Sequence, residues 1–324
     1  VDDNCDGLID YFDPTCNTQA IDEGFYFGQP KPDCQVIPPV DPNFGLEEVW
    51  RSDKTVQTRG TPAVGDIDGD GLPEVISYNT ADVNNSNLYI FSGLDGSTEV
   101  QIPAEIDAMS QSASIADTDG DGLGEIYIVD IYRNLLCFEN DGTSKPGFVN
   151  TKIGSGTNGS DAPENSYHPA FADFDGDGVP EIYIANQIFS SLTGALLAEP
   201  IDQINSSKGG SGDNPIHAYP AAWDILPDDF CTDCSGTELI CGDVVYSVNL
   251  ATGLLTEASK VPPYSNVSDG KTALADWDGD GEMDIIVTTG CCGFGGSIYI
   301  WDPRKKEYLT PVSYTHLTLP TTPY

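Results

Sequence analysis

Four stretches of the 324-residue chain carry carboxylates at alternate positions around paired glycines, in the pattern D-x-D-G-D-G-x-x-E/D. The first contains Asp66, Asp68, Asp70 and Glu74, and the second Asp117, Asp119, Asp121 and Glu125. The third contains Asp173, Asp175, Asp177 and Glu181, and the fourth Asp276, Asp278, Asp280 and Asp284. Calcium takes about six to eight oxygens in a flexible shell, and a tight loop can aim positions 1, 3 and 5 at one centre. Position 7 usually adds a backbone carbonyl, here from Leu72, Leu123, Val179 or Glu282. Position 9 supplies the last carboxylate. Position 6 must bend the chain, and Gly71, Gly122, Gly178 and Gly281 permit the positive φ that this requires. Without a cation the four carboxylates repel one another, so the neutralised loop is the expected folded form. Magnesium suits the pattern less well, because it dehydrates reluctantly and demands octahedral geometry. An EF-hand needs an acid at position 12 and flanking helices. Position 12 is Ser77, Ile128, Ile184 or Val287, and the sequence leaving each loop reads as a strand.

The cysteines are the second chemistry-bearing group. Nine of them suit an oxidising compartment better than a cytosol. Cys231 and Cys234, with Cys241 and the adjacent Cys291 and Cys292, offer thiolates for zinc, but no second C-x-x-C and no nearby His pair completes such a site. A disulfide among them is the favoured alternative. Cys291 and Cys292 pair with each other or elsewhere, and Cys137, within a strand, reads as a buried thiol. His168 and His217 stand near the starts of successive inner strands, as ligand contacts or, more simply, as polar residues there. Tyr78, Trp223, Trp277 and Trp301 read as packing residues before they read as a sugar-stacking platform, with Trp223 and Trp277 exposed beside loop aspartates. No nucleophile elbow, phosphate loop or H-E-x-x-H occurs, and no catalytic residue is assigned.

Charge narrows the partners. The 13 Lys and Arg against 52 Asp and Glu leave a net charge of −39, the reverse of what phosphate or anionic lipid requires. Nucleic acid is therefore excluded as a partner. No apolar run approaches the roughly 18 residues of a membrane span, so direct membrane insertion is not expected.

The loops recur about every fifty residues, and a degenerate fifth copy fills the longest gap, with Trp223 and Asp224 before a divergent loop and Glu238 after it. A small-residue strand leads into each loop and a β-branched, aromatic strand leads out. A third strand follows, ends in a turn signal such as Asp95-Gly96 or Asp141-Gly142, and precedes a weaker fourth. Four short strands at this period describe a propeller blade. The fold class is all-β, a β-propeller of four-stranded antiparallel blades with about five blades present. Val49 and Trp50 read as part of an outer strand of another blade. The Pro-rich stretch 29–45 reads as an extended linker. Residue 1 is Val, inside a Cys- and Asp-rich motif, so the chain reads as a fragment without its signal peptide. Residues 312–324 look like translated sequencing adapter and are set aside as non-native.

These residues carry a resemblance. D-x-D-G-D-G-x-x-E between a small-residue strand and a β-branched strand resembles the FG-GAP/VCBS repeats of integrin-α-type β-propellers, over about residues 46–311. The resemblance implies calcium at the four acidic loops, on the lower face, where first and second strands join. It makes calcium doubtful in the fourth blade, where Asp224, Asp228 and Asp229 lack the repeat's core. Such propellers usually have seven blades, which implies an incomplete ring. Residues 1–28 are similar to short Cys- and Asp-rich motifs of secreted bacterial surface proteins, which implies a further calcium at Asp2, Asn4, Asp6 and Asp10.

Two functions follow as expectations. The first is a secreted or cell-surface binding or adhesion module that meets a glycan or protein partner through upper-face loops 79–87, 130–134 and 288–296, which vary while the metal loops stay alike. The second is a polysaccharide-active enzyme on the same scaffold, because calcium-containing propellers related to rhamnogalacturonan lyases use similar loops. A lyase needs a base and cationic groups in one pocket. Lys208, Arg133 and Lys271 are the basic residues available to the upper side, and they do not assemble such a pocket in the sequence.

Overall fold

The computed structural model describes residues 48–57, 60–79, 86–105, 112–154, 167–202, 206–210, 218–262, 269–289 and 297–310. All elements described lie within the unit Trp50–Tyr324. The N-terminal motif with Asp2, Asn4, Asp6 and Asp10, the 29–45 stretch, His217, Cys291, Cys292 and residues 312–324 fall outside the described residues. None of the described elements is a helix, and so none is a helix long and apolar enough to cross a membrane.

Nineteen strands form five successive antiparallel groups. The first is β1 (Ala63–Gly65), β2 (Glu74–Asn79), β3 (Asn87–Ser92) and β4 (Thr98–Pro103), paired in sequence order. The second is β5 (Ser114–Ala116), β6 (Glu125–Val129) and β7 (Leu135–Phe138). The third is β8 (Ala170–Ala172), β9 (Glu181–Ile184), β10 (Gln187–Phe189) and β11 (Leu196–Pro200). The fourth is β12 (Ala221–Trp223), β13 (Glu238–Cys241), β14 (Val244–Asn249) and β15 (Leu254–Lys260). The fifth is β16 (Lys271–Ala275), β17 (Asp284–Thr288), β18 (Ile298–Asp302) and β19 (Glu307–Thr310).

The period-2 alternation of apolar side chains explains how the groups stack. Strand β6 is buried on both faces: Ile126 and Ile128 pack with Ile76, Tyr78, Leu88 and Ile90 of the first sheet. Tyr127 and Val129 turn the other way, to Ile182, Ile184 and Phe189 of the third. Strand β13 repeats this. Leu239 and Cys241 face the third sheet, and Ile240 faces Ile285, Val287 and Trp301 of the fifth. The core is thus a set of layers between neighbouring sheets, as a propeller requires. Each fully buried Ile, Leu or Phe contributes about 1.5–3 kcal/mol by leaving water. The first strands of neighbouring blades are also tied together: Thr61 N–H donates to Ser112 Oγ, Ser114 Oγ to the Pro169 carbonyl, and Thr272 N–H to the Tyr219 carbonyl.

Three details depart from the expected pattern. Val49 and Trp50 are not in a strand. The Trp50 indole lies instead against the turn after β3, its Nε1 donating to the Gly93 carbonyl at 2.8 Å. The first sheet already has four strands of its own. The second sheet has three named strands, with only single bridges (Asn134 to Lys152 and Phe138 to Ser144) where a fourth would run. Pro146 and Gly147 interrupt that run, because proline supplies no amide to the ladder. The third and fourth sheets join through a short parallel pairing of their outer strands, Glu199 with Leu254 and Pro200 with Leu255.

Candidate metal centres

Each acidic loop connects the first and second strands of its blade. Four loops share one hydrogen-bond scheme. In the first, Asp66 Oδ1 accepts the Gly69 amide at 2.8 Å and Oδ2 the Gly71 amide at 2.9 Å. Asp68 Oδ1 accepts the Asp70 amide, and Asp70 Oδ1 the Leu72 amide. Asp117, Asp173 and Asp276 hold the amides three and five residues on in the same way. Gly71, Gly122, Gly178 and Gly281 have φ of 89–91°. Position 4 needs the left-handed region as well: Gly69, Gly120, Gly176 and Gly279 have φ of 74–77°. The sequence carried that signal in its second invariant glycine, which the position-6 argument alone did not use.

Position 9 has a role that ligand counting misses. One oxygen of Glu74 accepts the Ile67 amide at 2.9 Å, and Glu125, Glu181 and Asp284 do the same for Thr118, Phe174 and Trp277. These acids are buried at the head of the second strand, and each stitches that strand to the residue after the first aspartate. Burial raises the carboxyls of Glu74, Glu181 and Asp284 above their ordinary range, against the lowering effect of those amides. The second oxygens of Glu125 and Asp284 are buried and accept no hydrogen bond, and each lies beside a basic side chain, Lys145 Nζ at 3.2 Å and Arg304 at 3.7 Å.

Carboxylate oxygens converge within 4.8 Å of one another at Asp66, Asp68 and Asp70, and at Asp117, Asp119, Asp121 and Glu125. They also converge at Asp173, Asp175 and Glu181, and at Asp276, Asp278 and Asp284. Glu74, Asp177 and Asp280 lie outside these sets. A hard, oxygen-only donor set of converging carboxylates fits a hard cation such as calcium, and no zinc-type donor is among them.

Two loops also hold basic side chains. Lys145, on the segment returning from the turn after β7, places Nζ 2.9 Å from Asp119 Oδ2 and 3.2 Å from Glu125 Oε1. Burial alone would lower this ammonium, but Asp119 and Glu125 hold its pKa above the usual lysine range, and Lys145 in turn lowers Asp119. Arg304 and Lys305, from the turn after β18, surround the last loop. Arg304 pairs with Glu282 at 2.9 Å and reaches 3.7 Å from Asp284 Oδ1. Lys305 lies 2.9 Å from the buried Asp302 and 3.2 Å from Asp280. The motif gave no hint of these cations, which enter from the far end of the third strand.

The degenerate fourth copy keeps the stitch without the acidic core. Glu238 Oε2 accepts the amides of Ile225 at 2.9 Å and Leu226 at 3.2 Å. In the same loop Cys231 and Cys234 form a disulfide, with Cα atoms 5.1 Å apart, which removes both from any zinc site. Cys241 is a free thiol, as is Cys137. Its expected disulfide does not form because it lies within β13, its side chain in the layer toward the third sheet.

On the opposite face, at the starts of three consecutive inner strands, His168 stacks on Tyr219 at 4.6 Å, and the Lys271 ammonium lies 4.7 Å from the centre of the same ring. Lys208 and Arg133, expected as upper-face cations, are buried instead. Lys208 forms part of a knot in which Asp269 accepts the amides of Lys208, Gly209 and Gly270. The 130–134 loop is closed by Asp130, which accepts the amides of Tyr132 and Asn134. Trp301 and Tyr78 are buried packing residues, while Trp223 and Trp277 are 50% and 55% exposed.

A family model described as an FG-GAP-like repeat matches residues 66–128 and 117–184, which span the first three acidic loops. Among proteins of curated function, none matches this sequence. Of solved structures, the V. cholerae biofilm matrix protein Bap1 is similar at 19% identity and a TM-score of 0.55, over 79% of this chain and 40% of that one. The Bacillus licheniformis rhamnogalacturonan lyase PL11 is similar at 16% identity and a TM-score of 0.53, over 79% and 51%. The rhamnogalacturonan lyase YesW is similar at 18% identity and a TM-score of 0.52, with the same coverage. The chain thus spans about half or less of these proteins, and the likeness is one of fold.

Proposed function

We propose that this chain is an extracellular, calcium-stabilised β-propeller, taken as residues 46–311, that acts as a binding or adhesion module for a glycan or protein partner. The observation that carries the reading is the convergence of acidic oxygens in four loops of identical hydrogen-bond scheme. The ligands proposed are the position 1, 3, 5 and 9 carboxylates together with the carbonyls of Leu72, Leu123, Val179 and Glu282. Bound calcium neutralises each loop. The chain's own residues then fix the turn through the amide bonds to positions 1, 3 and 5, and join the two strands through position 9. With metal loops on one face, contact with the partner is assigned to the other, where His168, Tyr219 and Lys271 stack an aromatic ring beside cationic or polar groups. The disulfide and the similarity to a biofilm matrix protein support a secreted or cell-surface setting.

Extracellular calcium modules bind at roughly 10⁻⁴–10⁻³ M. At ~2 mM calcium and a Kd of ~10⁻⁴ M, linkage adds about 1.8 kcal/mol per site. Several such sites together are comparable with the stability of a whole domain. The function is tested by a glycan array with calcium and with EDTA. Calcium-dependent retention of a glycan class supports a binding module, and no retention of any glycan or matrix protein by folded, calcium-loaded chain contradicts it.

The likeness to rhamnogalacturonan lyases favours a second reading, a polysaccharide-active enzyme on the same scaffold. Depolymerisation of acidic polysaccharide by the purified chain, lost in a Lys271→Ala variant, would replace the first reading with this one.

A further inference from the structure

The four acidic loops are alike in backbone but not in charge. Loops 1 and 3 (Asp66 to Glu74 and Asp173 to Glu181) form no ion pair with any Lys or Arg among the described residues. Loop 2 has Lys145 on two of its would-be ligand oxygens, and loop 5 has Arg304 and Lys305 around Asp278, Asp280 and Asp284. Arg304 and Lys305 occupy the turn that follows the third strand of their blade, and Lys145 lies just past the corresponding turn, next to the bridge between Phe138 and Ser144. In blades 1 and 3 that turn contains Leu94 and Leu192, with no base.

We propose that Lys145 and the Arg304–Lys305 pair are resident counter-cations, which divide the loops into two classes. Loops 1 and 3 depend on a divalent ion to be folded and bind it tightly, whereas loops 2 and 5 hold their shape without one and bind it more weakly. This inference rests on the calcium reading above and adds an order of occupancy to it.

The geometry gives that order. Lys145 is the most restrictive of the three cations. Its side chain is only 6% exposed, its amide donates to the Cys137 carbonyl, and Pro146 follows it. It has little room to withdraw when an ion arrives at Asp119 and Glu125. A divalent ion there sits a few ångströms from a buried ammonium, a repulsion that lowers affinity by at least about tenfold. Lys305 is 46% exposed and can swing to solvent, so loop 5 yields more easily than loop 2. Affinity therefore falls from loops 1 and 3, through loop 5, to loop 2. In calcium-poor medium the first and third blades loosen at their base while the second and fifth keep their ion pairs.

The test is calorimetric titration of calcium into the full chain after chelator removal. Wild-type chain is expected to show two tight sites and weaker ones beyond, and Lys145→Met to move a third site into the tight class with at least about a tenfold gain. One class of equivalent sites, or an unchanged isotherm for K145M, overturns the inference while leaving the calcium reading intact. No calcium uptake by folded wild-type chain overturns the calcium reading itself. Should K145M not fold, hydrogen exchange on wild-type chain decides. On chelation, amides of Gly69, Gly71, Gly176 and Gly178 are expected to exchange at least about tenfold faster, and those of Gly120, Gly122, Gly279 and Gly281 to change less than about twofold. Equal acceleration in all four loops overturns the proposal.

Discussion

Glu238 separates the two roles of the position-9 acid, because its blade has lost the acidic loop. It is 1% exposed, and its Oε2 is the acceptor for the buried amides of Ile225 and Leu226. Glu238→Ala leaves those two donors without a partner, at about 1–3 kcal/mol each, so a loss of about 2–6 kcal/mol is expected at pH 5. Glu238→Gln keeps an acceptor oxygen in place and removes only the charge. Burial pushes the Glu238 carboxyl from 4.5 up to about 7, against the two amides, which lower it. A carboxyl raised in this way binds a proton in the native state that the unfolded chain has released. The stability it brings is complete below pH 4.5 and is lost as pH rises through about 7. At about 1.36 kcal/mol per unit, that loss is at most about 3 kcal/mol. E238Q should therefore match wild type near pH 4.5 and exceed it by up to about 3 kcal/mol at pH 8. The assay is urea denaturation of wild type, E238Q and E238A at both pH values, repeated in EDTA, where the differences among the three should not change. If E238Q loses as much as E238A, the acceptor argument is wrong. If E238Q tracks wild type at both pH values, the buried charge carries no cost and the electrostatic argument is wrong.

Three other outcomes follow from the same geometry. Gly71→Ala meets nothing within 4 Å, so its cost comes from φ of +89° alone; about 1–2 kcal/mol is expected by denaturation, together with weaker calcium binding. Reduction of Cys231–Cys234, a bridge of sequence separation 3, should cost about 2 kcal/mol, read as a lower urea midpoint in reducing buffer. Burial pushes the Cys137 thiol up to about 12 and Cys241 well above the usual range, so neither should take up iodoacetamide at pH 8 until the chain unfolds.

Much of the scaffold was legible because its signals are local. The aspartates and glycines of each loop, the β-branched strands leaving them and the recurrence of both specify the first-to-second strand connection in every blade, including the degenerate copy at Asp224 to Glu238. What the sequence hid is non-local. Lys145 reaches Asp119 from 26 residues away and Lys305 reaches Asp280 from 25, with no fixed spacing to mark them. The position-9 acids stood out in the sequence as candidate ligands and not as strand stitches, since an amide acceptor leaves no signature beyond the acid itself. Trp50 was misplaced because an apolar Val-Trp pair reads as strand, whereas its indole caps the Gly93–Gly96 turn. Cys241 was grouped with its neighbours in sequence although strand alternation buries it among Leu239 and Tyr246.

Cation occupancy of the acidic loops is the most direct test. Diffraction from crystals grown in millimolar calcium, with anomalous differences collected at a long wavelength, reads this out loop by loop. Peaks among Asp66, Asp68 and Asp70 and among Asp173, Asp175 and Glu181, at about 2.3–2.6 Å from the oxygens, are the predicted result. Loops that keep the same amide bonds but show no peak at saturating calcium would contradict it.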